Sequence, residues 1–250
     1  MNQIQRKLSP ENQDNKPWVY VFDCDGLLYT HTEKCYRRMG EVGAMVIHAY
    51  TNIPYNESME IGMKSWDLYA DGFLLLKDEF GLAAYHAMHR HFDMVSNLDM
   101  TGEKDSSLPS LIWSLAQMTD VCFYSHTTTN ALHTMMSRLG YNPYLIQNYT
   151  HGIDAFKDIG RARKDDFSSG IYHRLSEIYN VHSDQIVLIE DSKSNLVCAK
   201  KCGVGRTVFV NPHSNSVKHE HIDESCTSIV DFVAGEVRSI SCRNRTFVPV

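Results

Sequence analysis

The sequence predicts an α/β protein in which a doubly wound parallel sheet is interrupted, after its first strand, by an inserted helical cap. Three observations predict it. Short, wholly apolar runs recur along the chain, as strands buried on both faces do. Helical patterns fall between those runs, two of them stopped by a glycine. One long interval near the N-terminus has helical periodicity and no strand pattern. A chain of 250 residues can bury one sizeable core and still carry an insertion.

Taken in order, residues 1–16 are polar, lack periodicity and contain Pro10, so they read as a flexible leader. The core begins at residue 17, with a first strand from Trp18 to Phe22. Residues 32–109 are the expected cap, rich in aromatic residues and Met, with helices from Glu33 to Tyr50, Asn56 to Tyr69 and Leu82 to His91. The core then resumes, so that 17–31 and 110–236 form one unit. Its remaining strands are expected at Val121 to Tyr124, Tyr144 to Ile146, Ile186 to Ile189 and Thr207 to Val210. Its helices are expected at Asn130 to Leu139, Asp166 to Tyr179 and Ser194 to Cys202, with Gly140 and Gly203 supplying C-caps. Residues 237–250 read as a C-terminal tail that the sequence neither docks nor frees. Strand alternating with helix in this order makes the core a doubly wound, Rossmann-like sheet.

Composition narrows the function. Lys and Arg number 24 against 30 Asp and Glu, a net charge of −6, which repels a polyanion and argues against extended nucleic-acid binding. No apolar run approaches the roughly 20 residues that span a bilayer, and the N-terminus lacks a signal-peptide core. The seven cysteines are odd in number and sit mostly in apolar or helical stretches. A soluble, cytoplasmic protein in a reducing compartment is the expectation.

The run VYVFDCDGLLY places Asp23 and Asp25 directly after a buried strand, where open parallel sheets bind ligands, and Gly26 can turn the chain sharply. Strand alternation puts both carboxylates on one side, so one can attack phosphorus while the other handles a proton. Alone, the same pattern also suits an ordinary strand end; a calcium loop is disfavoured because Leu27, Leu28 and Tyr29 follow instead of oxygen ligands. The next strand ends in Ser125 and His126 before a helix, where a hydroxyl and helix-start amides can bind a phosphoryl group, although Ser and Thr there are also ordinary N-caps. QIVLIEDSKSN repeats the acidic strand end with Glu190 and Asp191, and two such ends suggest magnesium, which takes hard oxygen ligands and keeps several waters. Lys164, one helix ahead of Glu190, can neutralise charge at Asp23 and on a transferring phosphoryl group. Lys157 is a rival, and a solvated basic patch is the plainer reading of Lys164 taken alone.

In this order FDCDGLLY, Ser125, Lys164 and EDSKSN resemble the four motifs of haloacid dehalogenase-type phosphatases across roughly residues 18–210. The resemblance implies Asp23 as nucleophile, Asp25 as general acid/base, Ser125 as a phosphate binder and Lys164 as the charge-neutralising lysine; His126 and Lys164 are expected beside Ser125 at the phosphate. It implies magnesium held by the Asp23 carboxylate, the Asp25 backbone carbonyl and Asp191, with Glu190 behind them. The superfamily's dehalogenases lack an aspartate at the Asp25 position and use no metal, so the resemblance points to phosphate chemistry. A cap between the first two motifs is similar to that of phosphoglycolate phosphatases, β-phosphoglucomutases and pyrimidine 5′-nucleotidases. Leu28, Tyr29 and the stretch SWDLYADGFLLLKDEF resemble the last group, whereas Gly26 and His126 stand where those nucleotidases commonly carry Asn.

The function so expected is a magnesium-dependent phosphatase acting through an aspartyl-phosphate on a small phosphorylated metabolite, foremost a nucleoside monophosphate. A sugar-phosphate phosphatase, a phosphomutase or other phosphotransferase, a noncatalytic binding protein on the same fold and a phosphoprotein phosphatase stay open. Trp66, Tyr69, Phe73 and Phe80 can offer a stacking face to a base, though aromatic residues at helical spacing more often form the core of a small cap. His86, His89 and His91, and His219, His221 and Cys226, lack a full zinc complement. Cys198 and Cys202 lie one helical turn apart and read as helix packing.

Overall fold

A computed structural model describes residues 18–29, 33–69, 71–95, 105–156, 163–212 and 219–245. The expected leader, Lys157 and the last five residues of the tail lie outside the described residues. The strands are β1 (Val19–Phe22), β2 (Asp120–Tyr124), β3 (Thr150–His151), β4 (Ile186–Glu190), β5 (Arg206–Val210) and β6 (Glu224–Cys226). They form one parallel sheet in the order β3-β2-β1-β4-β5-β6, so the first strand is central. The chain reverses its direction of progress across the sheet at β1, and the C-terminal edge beside such a strand is where doubly wound folds bind ligands.

Side chains alternate across the sheet with a period of two. Tyr20, Phe22, Val121, Phe123, Val187 and Ile189 face one side. There they meet α4 (Leu108–Ala116), α5 (Thr129–Leu139), α6 (Pro143–Tyr149) and α9 (Ile229–Arg245). Val19, Val21, Cys122, Tyr124, Ile186 and Leu188 face the other, against α7 (Ile171–Tyr179) and α8 (Lys193–Lys201). Because neither face meets water, the strands read as continuous apolar runs. Residues 237–245, expected in the tail, are the end of α9, where Val237 and Ile240 pack on the core.

Between β1 and α4 stand α1 (Glu33–Thr51), α2 (Tyr55–Tyr69) and α3 (Lys77–Val95). They share their own apolar cluster of Val42, Val46, Ile47, Phe73, Leu76, Tyr85 and Met88. Gly81 breaks α3 with φ of 81°, a left-handed value that glycine adopts without strain, so the regular helix restarts at Leu82. Asp71 is buried here: it accepts the Phe73 N–H and the Tyr85 hydroxyl, each at 2.8 Å.

One expected strand is corrected. Tyr144 to Ile146 lies inside α6, because Asn142 accepts the Tyr144 N–H at 2.8 Å and Pro143 occupies the first turn, a capped helix start. The strand in this region is the two-residue β3 that follows. Strand β6 and helix α4 were not foreseen: β6 is three half-buried residues, and α4 begins within the interval assigned to the cap.

Candidate active site

The site grows from the C-terminal end of β1. Asp23 continues the strand by donating its N–H to the Ile189 carbonyl at 3.0 Å, which fixes its Cα beside β4. The chain then turns, with the Leu28 N–H on the Cys24 carbonyl at 2.9 Å and Gly26 at φ of 80°. A Cβ on Gly26 would stand 2.0 Å from Asp191 Oδ2, so a larger residue would displace that carboxylate at a left-handed backbone angle that glycine adopts without strain. The turn returns Tyr29 to Asp25 as an isolated bridge, and the Tyr29 hydroxyl donates to Asp25 Oδ1.

Asp25 Oδ2 accepts the Ser125 hydroxyl at 2.6 Å, so the half-buried Asp25 carboxylate is held by hydroxyls on both oxygens. Ser125 directly follows β2, and its Oγ accepts the Thr127 N–H at 3.1 Å. Thr128, and not Ser125, caps α5 through the Ala131 N–H. Ser125 is thereby left to face Asp25. His126, expected at the phosphate, directs its Nε2 at the backbone of Lys164 and accepts that N–H at 2.9 Å.

Lys164 is 2% exposed, although it is a lysine in a loop. Its ammonium donates to Asp23 Oδ1, to Glu190 Oε2 at 2.7 Å and to the Tyr124 carbonyl at 3.4 Å. A lysine is rarely so buried unless it is paired. Glu190 is equally enclosed: Asn195 Nδ2 donates to Oε2 at 3.0 Å, and the Asp191 and Ser192 amides donate to Oε1 at 3.2 and 3.1 Å. Tyr172 donates its hydroxyl to the Lys164 carbonyl at 3.1 Å. The structure thus brings Asp23, Asp25, Ser125, His126, Lys164, Glu190 and Asp191 to one end of the sheet.

The charges are unbalanced. Burial works against the Lys164 ammonium, but Asp23 and Glu190 outweigh it and raise its pKa. Burial would raise Glu190, yet Lys164 and the donated hydrogen bonds bring it below the usual carboxylate range. Burial and then Glu190 push Asp23 well up, with Lys164 pulling the other way. Asp191 is solvent-exposed, but the protein around its carboxyl and the charge of Glu190 push it up to about 7. With Asp25, whose charge also raises Asp23, four carboxyl groups gather around a single ammonium, a deficit of positive charge that a cation would correct.

Among the described residues, Asp23, Glu190 and Asp191 are the group whose ligand atoms lie within 4.8 Å of one another. All the donors are hard oxygens, as magnesium requires, and Asp191 faces the solvent from which its waters would come. Glu190 is already saturated by Lys164, Asn195 and two amides, which leaves Asp23 and Asp191 as the carboxylates suited to the metal. The discounted histidines stay apart from this group. His89 packs between Phe73 and Tyr85 with its Nε2 3.3 Å from Asp71, and His219 and His221 lie ring to ring at 5.7 Å. Of the cap aromatics, Phe73 is core and Phe80 packs on that core, whereas Trp66 is 48% exposed; the Tyr69 side chain lies outside the described residues.

The sequence assigns no role to three further participants, although Tyr29 and Asn195 lie inside FDCDGLLY and EDSKSN. Asn195 stands five residues after Glu190, where the first turn of α8 returns a side chain to the strand end, and that spacing was a usable signal. Tyr29 lies four residues beyond Asp25. Tyr172 gave no signal, because an apolar-face tyrosine on α7 looks like any core aromatic.

No protein-family model matches the sequence, and no curated protein matches it. Solved structures do. A 2-haloacid dehalogenase from Pseudomonas syringae pv. tomato DC3000 superposes with a TM-score of 0.55 at 14% identity, over 90% of this chain and 99% of its own. The HAD-hydrolase YfnB from Bacillus subtilis, bound to magnesium, gives 0.52 at 14% identity, over 88% and 98%. A β-phosphoglucomutase-like protein from Thermotoga maritima gives 0.51 at 18% identity, over 89% and 99%.

Proposed function

We propose that this chain, which has the haloacid dehalogenase-like hydrolase fold, is a magnesium-dependent phosphatase that hydrolyses a small phosphomonoester through an aspartyl-phosphate on Asp23. The observation that carries the reading is the pairing of buried Asp23 with Lys164 beside Asp191, in a chain that also places Asp25 at the same strand end. A nucleophile alone suits dehalogenation and phosphoryl transfer equally, but the oxygen set suits a cation and the second aspartate suits proton transfer.

Lys164 holds the Asp23 carboxylate in place and offsets the charge that gathers on the transferring phosphoryl group. Asp23 attacks phosphorus, and the bond to the leaving oxygen breaks as the new P–O bond forms. Ser125 turns its hydroxyl from Asp25 to a phosphoryl oxygen, and the freed Asp25 Oδ2 takes a proton from solvent before the cycle and gives it to the leaving oxygen. The resulting Asp25 carboxylate removes a proton from water, which attacks the aspartyl-phosphate, releasing inorganic phosphate and restoring Asp23. Magnesium on the Asp23 and Asp191 carboxylates and the Asp25 carbonyl would supply the positive charge that the site lacks and orient the phosphoryl oxygens.

The substrate class we infer is a nucleoside monophosphate, supported by the cap's resemblance to nucleotidases and by exposed Trp66 as a stacking surface. Phosphate release from nucleoside monophosphates, sugar phosphates and phosphopeptides, with magnesium and with chelator, tests the reading in wild type and Asp23→Asn. Magnesium-dependent release that disappears in the variant is expected. Substantial turnover by Asp23→Asn removes the nucleophile assignment, and a phosphorylated acceptor in place of free phosphate makes the chain a phosphotransferase.

A further inference from the structure

Lys164 leaves its backbone, as well as its ammonium, in an unusual setting. It sits in a loop, with no sheet or helix ladder to fix its main chain, yet its Nζ must meet Asp23 and Glu190 together. Four rotatable bonds separate the Cα from that nitrogen, so an unanchored Cα would spread the ammonium over several positions. Two side chains from opposite elements supply the anchor. His126, two residues beyond β2, accepts the Lys164 N–H at 2.9 Å, and Tyr172 on α7 donates to the Lys164 carbonyl at 3.1 Å. On the same loop Arg163 forks onto the Asp165 carboxylate at 2.8 and 2.7 Å.

Resting on the phosphatase reading for its catalytic consequence, we propose that His126 is a positioning residue: its Nε2 clamps the backbone of Lys164 and so sets the ammonium on the nucleophile. With Nε2 accepting this N–H, the neutral ring carries its proton on Nδ1, so Nε2 itself cannot donate to a phosphoryl oxygen. The ring must be neutral to accept. Burial and then the cations Lys164 and Arg163 bring its pKa down to about 4, against the opposing pull of Glu190 and Asp165. The clamp also ties the β2 loop that carries Ser125 to the loop that carries Lys164, so the two groups keep a fixed separation.

His126→Ala and His126→Gln test it, because a Gln side-chain oxygen can stand where Nε2 accepts. The first measurement, amide hydrogen exchange at residue 164, needs no turnover. Wild type and His126→Gln should protect that amide, and His126→Ala should exchange at least about tenfold faster. An amide equally protected in His126→Ala overturns the clamp whatever the enzyme does. The second measurement is steady-state phosphate release. A fall of about tenfold to a hundredfold in kcat for His126→Ala, with KM within about threefold, and recovery of most of it in His126→Gln, is expected. A loss confined to KM, or a folded His126→Gln as poor as His126→Ala, rejects positioning through the acceptor. Wild type that shows the amide protection but releases no phosphate refutes the phosphatase reading and leaves the clamp standing.

Discussion

Replacing Lys164 by Met keeps the stem of the side chain and removes the ammonium from between two buried carboxylates. In the wild type the ammonium reaches Glu190 at 2.7 Å and also donates to Asp23, and all three groups are nearly inaccessible to water. Glu190 would retain Asn195 and two amides, but Asp23 would face Glu190 with no cation beside it. Breaking a buried pair by removing one partner costs about 3–5 kcal/mol. At about 2–4 °C per kcal/mol for a chain of this size, the melting temperature falls by roughly 10 °C. Urea unfolding followed by tryptophan fluorescence in chelator measures the cost without a metal contribution. Glu190→Gln in the same background removes the stranded charge, so the double variant should be more stable than the sum of the singles by at least about 1 kcal/mol. A Lys164→Met cost below about 1 kcal/mol, or strict additivity with Glu190→Gln, would refute the reasoning, because both are what a solvated surface lysine gives.

Further outcomes follow from other parts of the site. Gly26→Ala forces a Cβ onto the Asp191 carboxylate at a left-handed backbone position; it should cost about 1–2 kcal/mol in strain and weaken magnesium about tenfold or more by calorimetry. His126 binds a proton more readily in the unfolded chain, at its ordinary value of 6.5, than in the fold, where it is down to about 4, so its contribution is present above pH 6.5 and lost toward pH 4. Stability should therefore fall by about 2 kcal/mol between pH 7.5 and 5, and His126→Gln should remove that portion of the slope. Trp66→Ala should leave stability within about 0.5 kcal/mol while raising KM for a nucleoside monophosphate roughly fivefold or more; an unchanged KM takes Trp66 off the substrate face.

The parts of the fold that could be read in the sequence are those where burial and period coincide. Val19 to Phe22 and Ile186 to Glu190 are apolar up to an acidic end because both faces of a central strand are covered, and the acids lie where the ladder stops. Tyr144 to Ile146 is ambiguous on the same criterion, since three apolar residues fit a strand and a helix face equally; the Asn142 and Pro143 cap decides for the helix. Strand β6 is half-buried and carries no apolar run. At the site, ordered motifs picked out Asp23, Asp25, Ser125, Lys164, Glu190 and Asp191, residues that the structure gathers from distant segments. What His126 touches could not be read, because a histidine beside a proposed phosphate-binding position and a histidine holding a backbone amide look the same in one dimension.

The central place of β1 bears on how the protein reaches activity. Asp23 and Lys164 are 141 residues apart, and Val19 pairs with Asp120 across the whole helical insertion. Closing so long a loop costs little at equilibrium, since each doubling of length adds only about 0.6 kcal/mol, but non-local pairings slow the search for the native state. Helices α1 to α3 possess a cluster of their own, so their early collapse would shorten the effective loop that β1 must close. A fragment must span β1 through the Lys164 loop to bring Asp23 to Lys164, so under the proposed function turnover would report long-range pairing: activity should appear only when β1, β2 and β4 have all paired.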